Sequence, residues 1–555
     1  MSNPAERNAK MTDKKTYDVL ILGSGIAGTV LGAILAKHGL SVALLDGESH
    51  PRMAIGESTI PLTSALLRTL ADRYGIPEFR YLTSFKEIER AVSGSNGVKS
   101  NFGFVLHHDG EPVNPAETNQ VVIPTMLDIE HHLFRQDVDS YMLTTAIKYG
   151  AESFQKVRVT DVETDDDGVT LTTSVGTFRG RYLSDASGHG SPVARKYGLR
   201  ENPPRNKHHS RGLFTHMVGV KPFDEILKPR AANQPRSWHE GTLHHLFDGG
   251  WMWVIPFNNH IHAHNKLVSV GFLLDPRRHP KWEGDPEEEF RAIIARFPDM
   301  QAQFENARAV RPWVSSGRIQ YSSTKLFLDR IGLTSHAAGF VDALYSQGLP
   351  ITMATINLTA QKLIDACRED RFGTERFAEV EAVAQAMIDR HDSLVYSSFV
   401  GFRDFDLWNA TVRVWALGIF LSTFWVESTL GMYRKSRNAA VFDRLELGPN
   451  FGGPIPGNTT YDLIVSEMVA DCQKVEAGDI DPKEAARRIF SNLQNCDIVP
   501  PAFGFDDPMV RFFNPTPLRM AKTMIWSKLR ADREVGMVMR QALRGFVKRK
   551  VLKVG

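Results

Sequence analysis

The stretch Val19-Leu20-Ile21-Leu22-Gly23-Ser24-Gly25-Ile26-Ala27-Gly28 constrains this chain more than any other. Its apolar residues suit a strand buried on both faces of a parallel sheet. A Gly-x-Gly-x-x-Gly turn follows at once, and Thr29 to His38 then place apolar residues at helical spacing. Gly23 allows a tight reversal. Gly25 removes a Cβ so that a pyrophosphate can reach the backbone, and Gly28 lets helix and strand pack closely. A second apolar run, Val42 to Leu45, ends on Asp46, where an acid is expected to hold ribose hydroxyls. Strand, turn, helix and acid in this register predict a dinucleotide site without saying which dinucleotide.

A chain of 555 residues predicts two or more domains, or one large domain with extensions. The formal net charge of +2 gives no electrostatic case for nucleic acid. Cys367, Cys472 and Cys496 form neither a Cys-x-x-Cys pair nor a zinc-spaced cluster. No metal and no disulfide scaffold are therefore expected, and a reducing cytoplasm fits. Met1 to Tyr17 lacks the apolar core of a signal peptide and reads as a flexible lead-in. The apolar run Val414 to Val426 is expected to be too short to span a bilayer and to form a buried helix or pocket wall. The expected organisation is a flexible terminus at 1–16, a nucleotide-binding core at 17–368 with a β-rich part at about 205–325, and a mostly helical region at 369–555. Gly448 to Ile455 is a Gly/Pro-rich break, and a basic tail runs from Pro515 to Gly555.

Between these landmarks, Arg52 and the group Ile55-Gly56-Glu57-Ser58-Thr59-Ile60-Pro61 follow the ribose-binding strand. They suit the passage of a flavin, and equally a capped helix start. Val98 to His107 reads as one strand leaving a turn at Ser93–Gly97, with Lys99 at its mouth. Arg135 suits flavin phosphates or ribose, or an ordinary helix surface. Asp165-Asp166-Asp167-Gly168 predicts a hairpin, and the strand ending at Asp185 returns the chain to the nucleotide sheet. His244-His245 lacks an acidic third ligand and reads as structural. Leu326 to Leu363 repeats the opening logic, a loop feeding a helix start that offers free N–H groups. The later aromatics, Phe402 and Trp408 among them, suit either a core or a substrate chamber.

Three motifs in order carry a resemblance: Gly23–Gly28, Gly56-Glu57-Ser58-Thr59-x-Pro61, and Trp251-Met252-Trp253-Val254-Ile255-Pro256. The chain resembles the flavin-dependent halogenases, within the larger flavoprotein monooxygenase fold. The block Ala338 to Leu349 looks like that family's flavin- and halide-binding turn, and the likeness runs roughly from Tyr17 to Leu363. It implies an α/β (α+β) chain with a Rossmann-like FAD-binding fold, an inserted β-rich substrate-facing region and a helical C-terminal region. It also implies FADH2 delivered by a separate flavin reductase, a flavin hydroperoxide, and chloride or bromide oxidised to hypohalous acid. That oxidant would pass through a short tunnel to Lys99 beside an aromatic substrate, free or bound to a carrier protein. The family lysine precedes an aromatic on the outgoing strand by about five residues, as Lys99 precedes Phe104, whereas the competitor Lys86 sits in a charged helical context.

Carried residue by residue, the resemblance assigns FAD contacts to Gly23, Gly25, Ile26, Ala27, Gly28, Asp46, Arg52, Ile55, Gly56, Glu57, Ser58, Arg135, Asp185, His336, Gly339 and Leu349. Halide falls to Gln347 and Gly348. A wall between flavin and substrate falls to Trp251, Trp253, Pro256, Phe104, Tyr345, Phe402 and Trp408. Two departures matter. Ser335-His336 stands where many flavoproteins of this fold carry Gly-Asp. Tyr345 precedes Ser346 where halogenases of free tryptophan carry a glutamate, which points instead to an already activated ring, a phenol or a pyrrole. The rival readings are an FAD-dependent aromatic hydroxylase and a non-catalytic flavin-fold protein that docks an acidic carrier. Membrane association is not expected, and the choice of monomer or dimer stays open.

Overall fold

The opening strand, Thr16–Leu22, lies at the centre of a parallel sheet, with Val42–Asp46 on one side and Gly176–Asp185 on the other. Glu152–Gln155 and Ile331–Leu333 extend this layer, and the hairpin Val159–Asp165/Gly168–Thr173 hangs from Gly176–Asp185. The computed structural model describes residues 15–124, 127–230, 233–443, 454–455 and 457–551. Residues 1–14 of the expected lead-in and most of the break at Gly448–Ile455 lie outside them; the lead-in ends earlier than expected, because Thr16 and Tyr17 already belong to the opening strand and Tyr17 is buried.

A second sheet of nine strands packs beside the first. Its centre is Gly241–Phe247, Gly250–Pro256 and Val268–Leu274, as the β-rich reading of 205–325 anticipates. It also recruits Asn101–Leu106 and Thr118–Val122 from upstream and Phe512–Phe513 from far downstream. Val98 to His107 is therefore not one strand. Gly97–Lys99 pairs with Glu130–His132 in a separate two-stranded ribbon, and Asn101–Leu106 joins the large sheet. Lys99 sits at the break between them, fully buried and not at an open mouth.

The C-terminal region is helical, and its apolar run lies inside one helix, Phe405–Ser436. At 32 residues this helix is long and apolar enough to cross a membrane, which corrects the expectation from the shorter run; 83% of its most apolar window is buried within the protein. Asp404 caps it by accepting from the Asp406 and Leu407 N–H groups. Trp408, Trp415, Phe420 and Phe424 pack into the main core. Arg413, fully buried on the same helix, donates to the carbonyls of Gly504, Asp507 and Val510 at 2.9, 2.6 and 2.7 Å. Its guanidinium also lies 4.9 Å from the centre of the Phe513 ring. One side chain thus clamps the segment that supplies the last strand of the large sheet. Arg413→Ala would strand those carbonyls in the interior and should cost about 3 kcal/mol. Thermal unfolding should show the loss, and limited proteolysis should show faster cleavage within 504–513; an unchanged midpoint and cleavage pattern would contradict the clamp.

Candidate active site

The glycine turn forms as its residue types require. Gly23 takes a left-handed φ of +90°, and a Cβ on Gly28 would lie 2.0 Å from the Gly23 carbonyl oxygen. Over Gly25, Gly188 and Gly190 an added Cβ would meet nothing within 4 Å. That open space belongs to a cavity of about 870 Å³ that begins at Leu22–Ala27, passes Asp46 and Arg52–Ser58, and ends at Trp251, Trp253 and Gln347–Leu349. Its volume suits a large cofactor with little room to spare. The helix Ile26–Lys37 presents its first-turn N–H groups at one end, and the helix Gly348–Glu369 presents its own at the other.

The cavity brings together Gly23, Gly25, Ile26, Ala27, Asp46, Arg52, Ile55, Gly56, Glu57, Ser58, Arg135, His336, Gln347, Gly348, Leu349, Trp251 and Trp253. Several of these are differently occupied from expectation. The Asp46 carboxylate accepts from the Ser24 N–H (2.7 Å), the Ser24 hydroxyl (2.8 Å), the Glu48 N–H (2.9 Å) and Arg52 (2.8 and 3.2 Å). A carboxylate offers about four lone-pair sites, so as folded Asp46 fixes the turn and has none left for ribose alone. Arg135 is held by the Asp139 carboxylate and by the carbonyls of Ile55 and Gly56. Glu57 accepts from the His216 ring nitrogen at 2.7 Å, both groups being buried.

Other expected contacts fall outside the cavity. Asp185 spends its buried carboxylate on Ser187, Ser191 and the Val193 N–H, and so shapes the turn behind the glycines. Gly28 and Gly339 pack against protein. Pro256 presents its carbonyl to His132. Phe104 is sandwiched by His244 (4.5 Å) and Trp408 (5.1 Å), and Tyr345 stacks on Trp415 at 4.4 Å. Phe402 borders a different, open cleft with Asp248, Arg277, Arg296 and Glu476. Phe104 from the large sheet, Tyr345 from the loop before Gly348, and Trp408 and Trp415 from the helix Phe405–Ser436 form a packed layer behind Trp251.

One buried group on the cavity wall is left for a cofactor to partner. Nε2 of His336 is buried with no partner, 2.9 Å from where a Cβ on residue 348 would sit, so this position tolerates only glycine without displacing the ring. Burial, then Arg135 and His391, push the His336 imidazole down to about 4, so the ring is neutral. Ser335, at φ +57°, is pinned by the Thr352 hydroxyl at 2.6 Å, which fixes His336 beside the helix start. An orphaned polar atom, an open space above glycines and two converging helix N-termini fit an extended anionic cofactor.

Lys99 lies just behind this wall. Its Nζ donates to the Ser58 hydroxyl (2.6 Å) and the Thr59 carbonyl (2.7 Å), and it stands 3.5 Å from the centre of the Phe102 ring. Ser58 and Thr242, whose hydroxyls meet at 2.9 Å, line the cavity and separate it from Nζ. Burial pushes the Lys99 amine well below the usual lysine range, and Glu130 opposes that shift. Glu130, His132 and Thr242 carry this network and are absent from the residues expected to matter. The only trace of Glu130 in the sequence is an acid followed by two histidines in a short run before a helix.

The two glycines separate fold from ligand. Gly25→Ala should leave the melting temperature unchanged within about 1 °C, since nothing opposes the new methyl, yet should weaken FAD binding tenfold or more, about 1.4 kcal/mol. Gly28→Ala should lower both together. Calorimetry of the apo-protein with FAD titration checks this, and unchanged FAD affinity in Gly25→Ala would remove the cofactor from the turn.

The comparisons with known proteins agree with this geometry. The tryptophan halogenase family profile matches residues 18–90. Tetracycline 7-halogenase of Kitasatospora aureofaciens is 45% identical over 516 residues, covering 92% of this chain and 93% of its own. Monodechloroaminopyrrolnitrin halogenase PrnC of Pseudomonas fluorescens is 45% identical over 532 residues, covering 94% of each. The crystal structure of halogenase PltM in complex with phloroglucinol and FAD superposes with a TM-score of 0.86 at 34% identity, covering 90% of this chain and 99% of that one. The chain belongs to the flavin-dependent halogenases and is an enzyme that uses FAD and a halide ion.

Proposed function

We propose that this halogenase installs chlorine or bromine on an electron-rich aromatic ring, a phenol or a pyrrole, with Lys99 as the residue that presents the electrophilic halogen. The observation that carries the reading is the placing of a buried lysine one hydroxyl away from a cavity whose far wall is Trp251 and Trp253. The relatives support the substrate class. One solved structure holds phloroglucinol, a phenol, and a more distant relative is a chlorinase of a pyrrole carried on a peptidyl carrier protein.

Reduced FAD, when bound, supplies the electrons with which oxygen converts halide into an electrophile. The chain does the rest. The first turn of the helix Ile26–Lys37 and Arg52 hold the adenine end, with Asp46 fixing the turn. Backbone N–H groups of Gln347 and Gly348 would hold the halide, and that of Leu349 the ring edge, at the second helix start. His336 Nε2, otherwise orphaned, gains a partner there. Trp251 and Trp253, buried and 5.8 Å apart, keep the substrate ring from the flavin and so exclude direct hydroxylation. The electrophile leaves past Ser58 and is held by the Lys99 N–H groups, which polarise it toward the ring. Tyr345 is buried behind the cavity, its hydroxyl bonded to Ser398 at 2.5 Å, so it puts no carboxylate beside the substrate, and a ring that brings its own electron density suits the site. The partners are a separate flavin reductase and the aromatic substrate.

Reconstitution with FAD, a flavin reductase, chloride or bromide and a panel of phenols and pyrroles tests the reading by mass spectrometry. Halogenated product should appear, and Lys99→Met should abolish it, at least about 100-fold, while reduced-flavin oxidation continues. Equal product from Lys99→Met would end the assignment. Hydroxylated product driven by NADH alone would favour the hydroxylase.

A further inference from the structure

A buried ammonium needs a counter-charge or it surrenders its proton. The three N–H groups of a protonated Lys99 find two neutral oxygens, Ser58 Oγ and Thr59 O, and the face of Phe102. None of these carries a charge. Directly across the two-stranded ribbon, in register with Lys99, stands Glu130. Paired residues of an antiparallel ribbon point to the same face, with Cβ atoms about 5 Å apart. Lys99 is 0% and Glu130 2% exposed, so the two sit together away from water. The Ser64 hydroxyl donates to Glu130 Oε2 at 2.9 Å.

We propose that Glu130 is a positioning residue that acts through Lys99: its carboxylate keeps the lysine protonated, as the hydrogen-bond donor that activates the halogen, and stops it from becoming a free amine. This rests on the assignment of Lys99 given above. Among the described residues, Glu130 is the acid that bears on Lys99. His131, His132 and His244 face Lys99, but burial holds all three neutral. Arg68, on the helix Pro61–Tyr74, bears on Glu130, yet its guanidinium is taken by Glu427 at 2.6 Å from the long helix. Asp128 bears on Arg68. Burial raises the Glu130 carboxyl to about 7, against the lowering effects of Thr59, Ser64, Arg68 and Lys99.

The test is the pH dependence of coupling, meaning halogenated product formed per reduced FAD oxidised, in single turnovers with pre-reduced FAD. In the wild type, coupling should fall on the alkaline side as Lys99 loses its proton. Glu130→Gln keeps shape and hydrogen bonding but removes the charge; its alkaline limb should move down by one pH unit or more, a roughly tenfold loss on that limb. Glu130→Asp should stay close to the wild type. Ser64→Ala, which removes a hydrogen bond to the carboxylate, should shift the limb the same way by less, and serves if Glu130→Gln does not fold. A limb that stays in place in whichever variant folds, with only its height changed, overturns the proposal. Full coupling in Lys99→Met would instead overturn the lysine assignment on which it rests.

Discussion

The structure depends on how closely two pieces of backbone can approach at the end of the first strand. Gly28 lies so near the Gly23 carbonyl that any side chain there would force strand and helix apart. Everything needed to bind the cofactor follows from that contact. The helix Ile26–Lys37 starts where the strand stops, so its unpaired N–H groups face the space above the sheet edge. Asp46 and Arg52 then secure the neighbouring strand end to the same turn through Ser24. The second helix start, at Gly348, obeys the same constraint, with His336 and not backbone as the close neighbour.

The two sheets divide the labour. The parallel sheet positions backbone donors, which suit an anion and need no particular side chain. The nine-stranded sheet positions side chains, Trp251 and Trp253 foremost, because its central strands are buried on both faces and each alternate residue is fixed by packing. The Lys99 ribbon fits between them. It is too short to have a core of its own, and it owes its geometry to bridges on either side: Ser58 to His132, and His132 to both Thr242 and Pro256. A charged residue can be buried there because the surrounding polar atoms are already fixed by both sheets.

What the sequence made legible follows the range of the interactions. The glycine turn, the strand to Asp46, the helix after Pro61 and the hairpin at Asp165–Gly168 are set by neighbours in the chain, and each formed where its residue pattern indicates. The Trp-x-Trp signature was legible because rare residues at fixed spacing mark a strand with two committed faces. Lys99 was found, but its environment was not. Its register with Glu130 spans a turn, a strand pair and a loop, and no local periodicity encodes such a pairing. A strand-end position points Asp46 toward ribose; its engagement by Ser24, Glu48 and Arg52 depends on side-chain geometry that the chain order does not encode. For the aromatic residues from 399 to 425 the sequence leaves core and chamber open, since burial and pocket lining draw on the same residue types; packing places Trp408, Trp415, Phe420 and Phe424 in the core.

The pairing of Phe512–Phe513 with Thr118–Val122 has a consequence for how the molecule comes into being. These strands are joined in parallel across most of the chain, with Arg511 and Asn119 meeting at a separation of 392 residues. Until the ribosome has delivered that late segment, the sheet that carries the tryptophan wall has an open edge, and the Arg413 clamp has nothing to hold. Nascent chains would therefore reach the end of synthesis with the flavin layer assembled and the substrate layer incomplete. Closure of that sheet edge therefore waits for the last part of the chain, and a truncation that spares every catalytic residue would still leave the edge exposed to other chains.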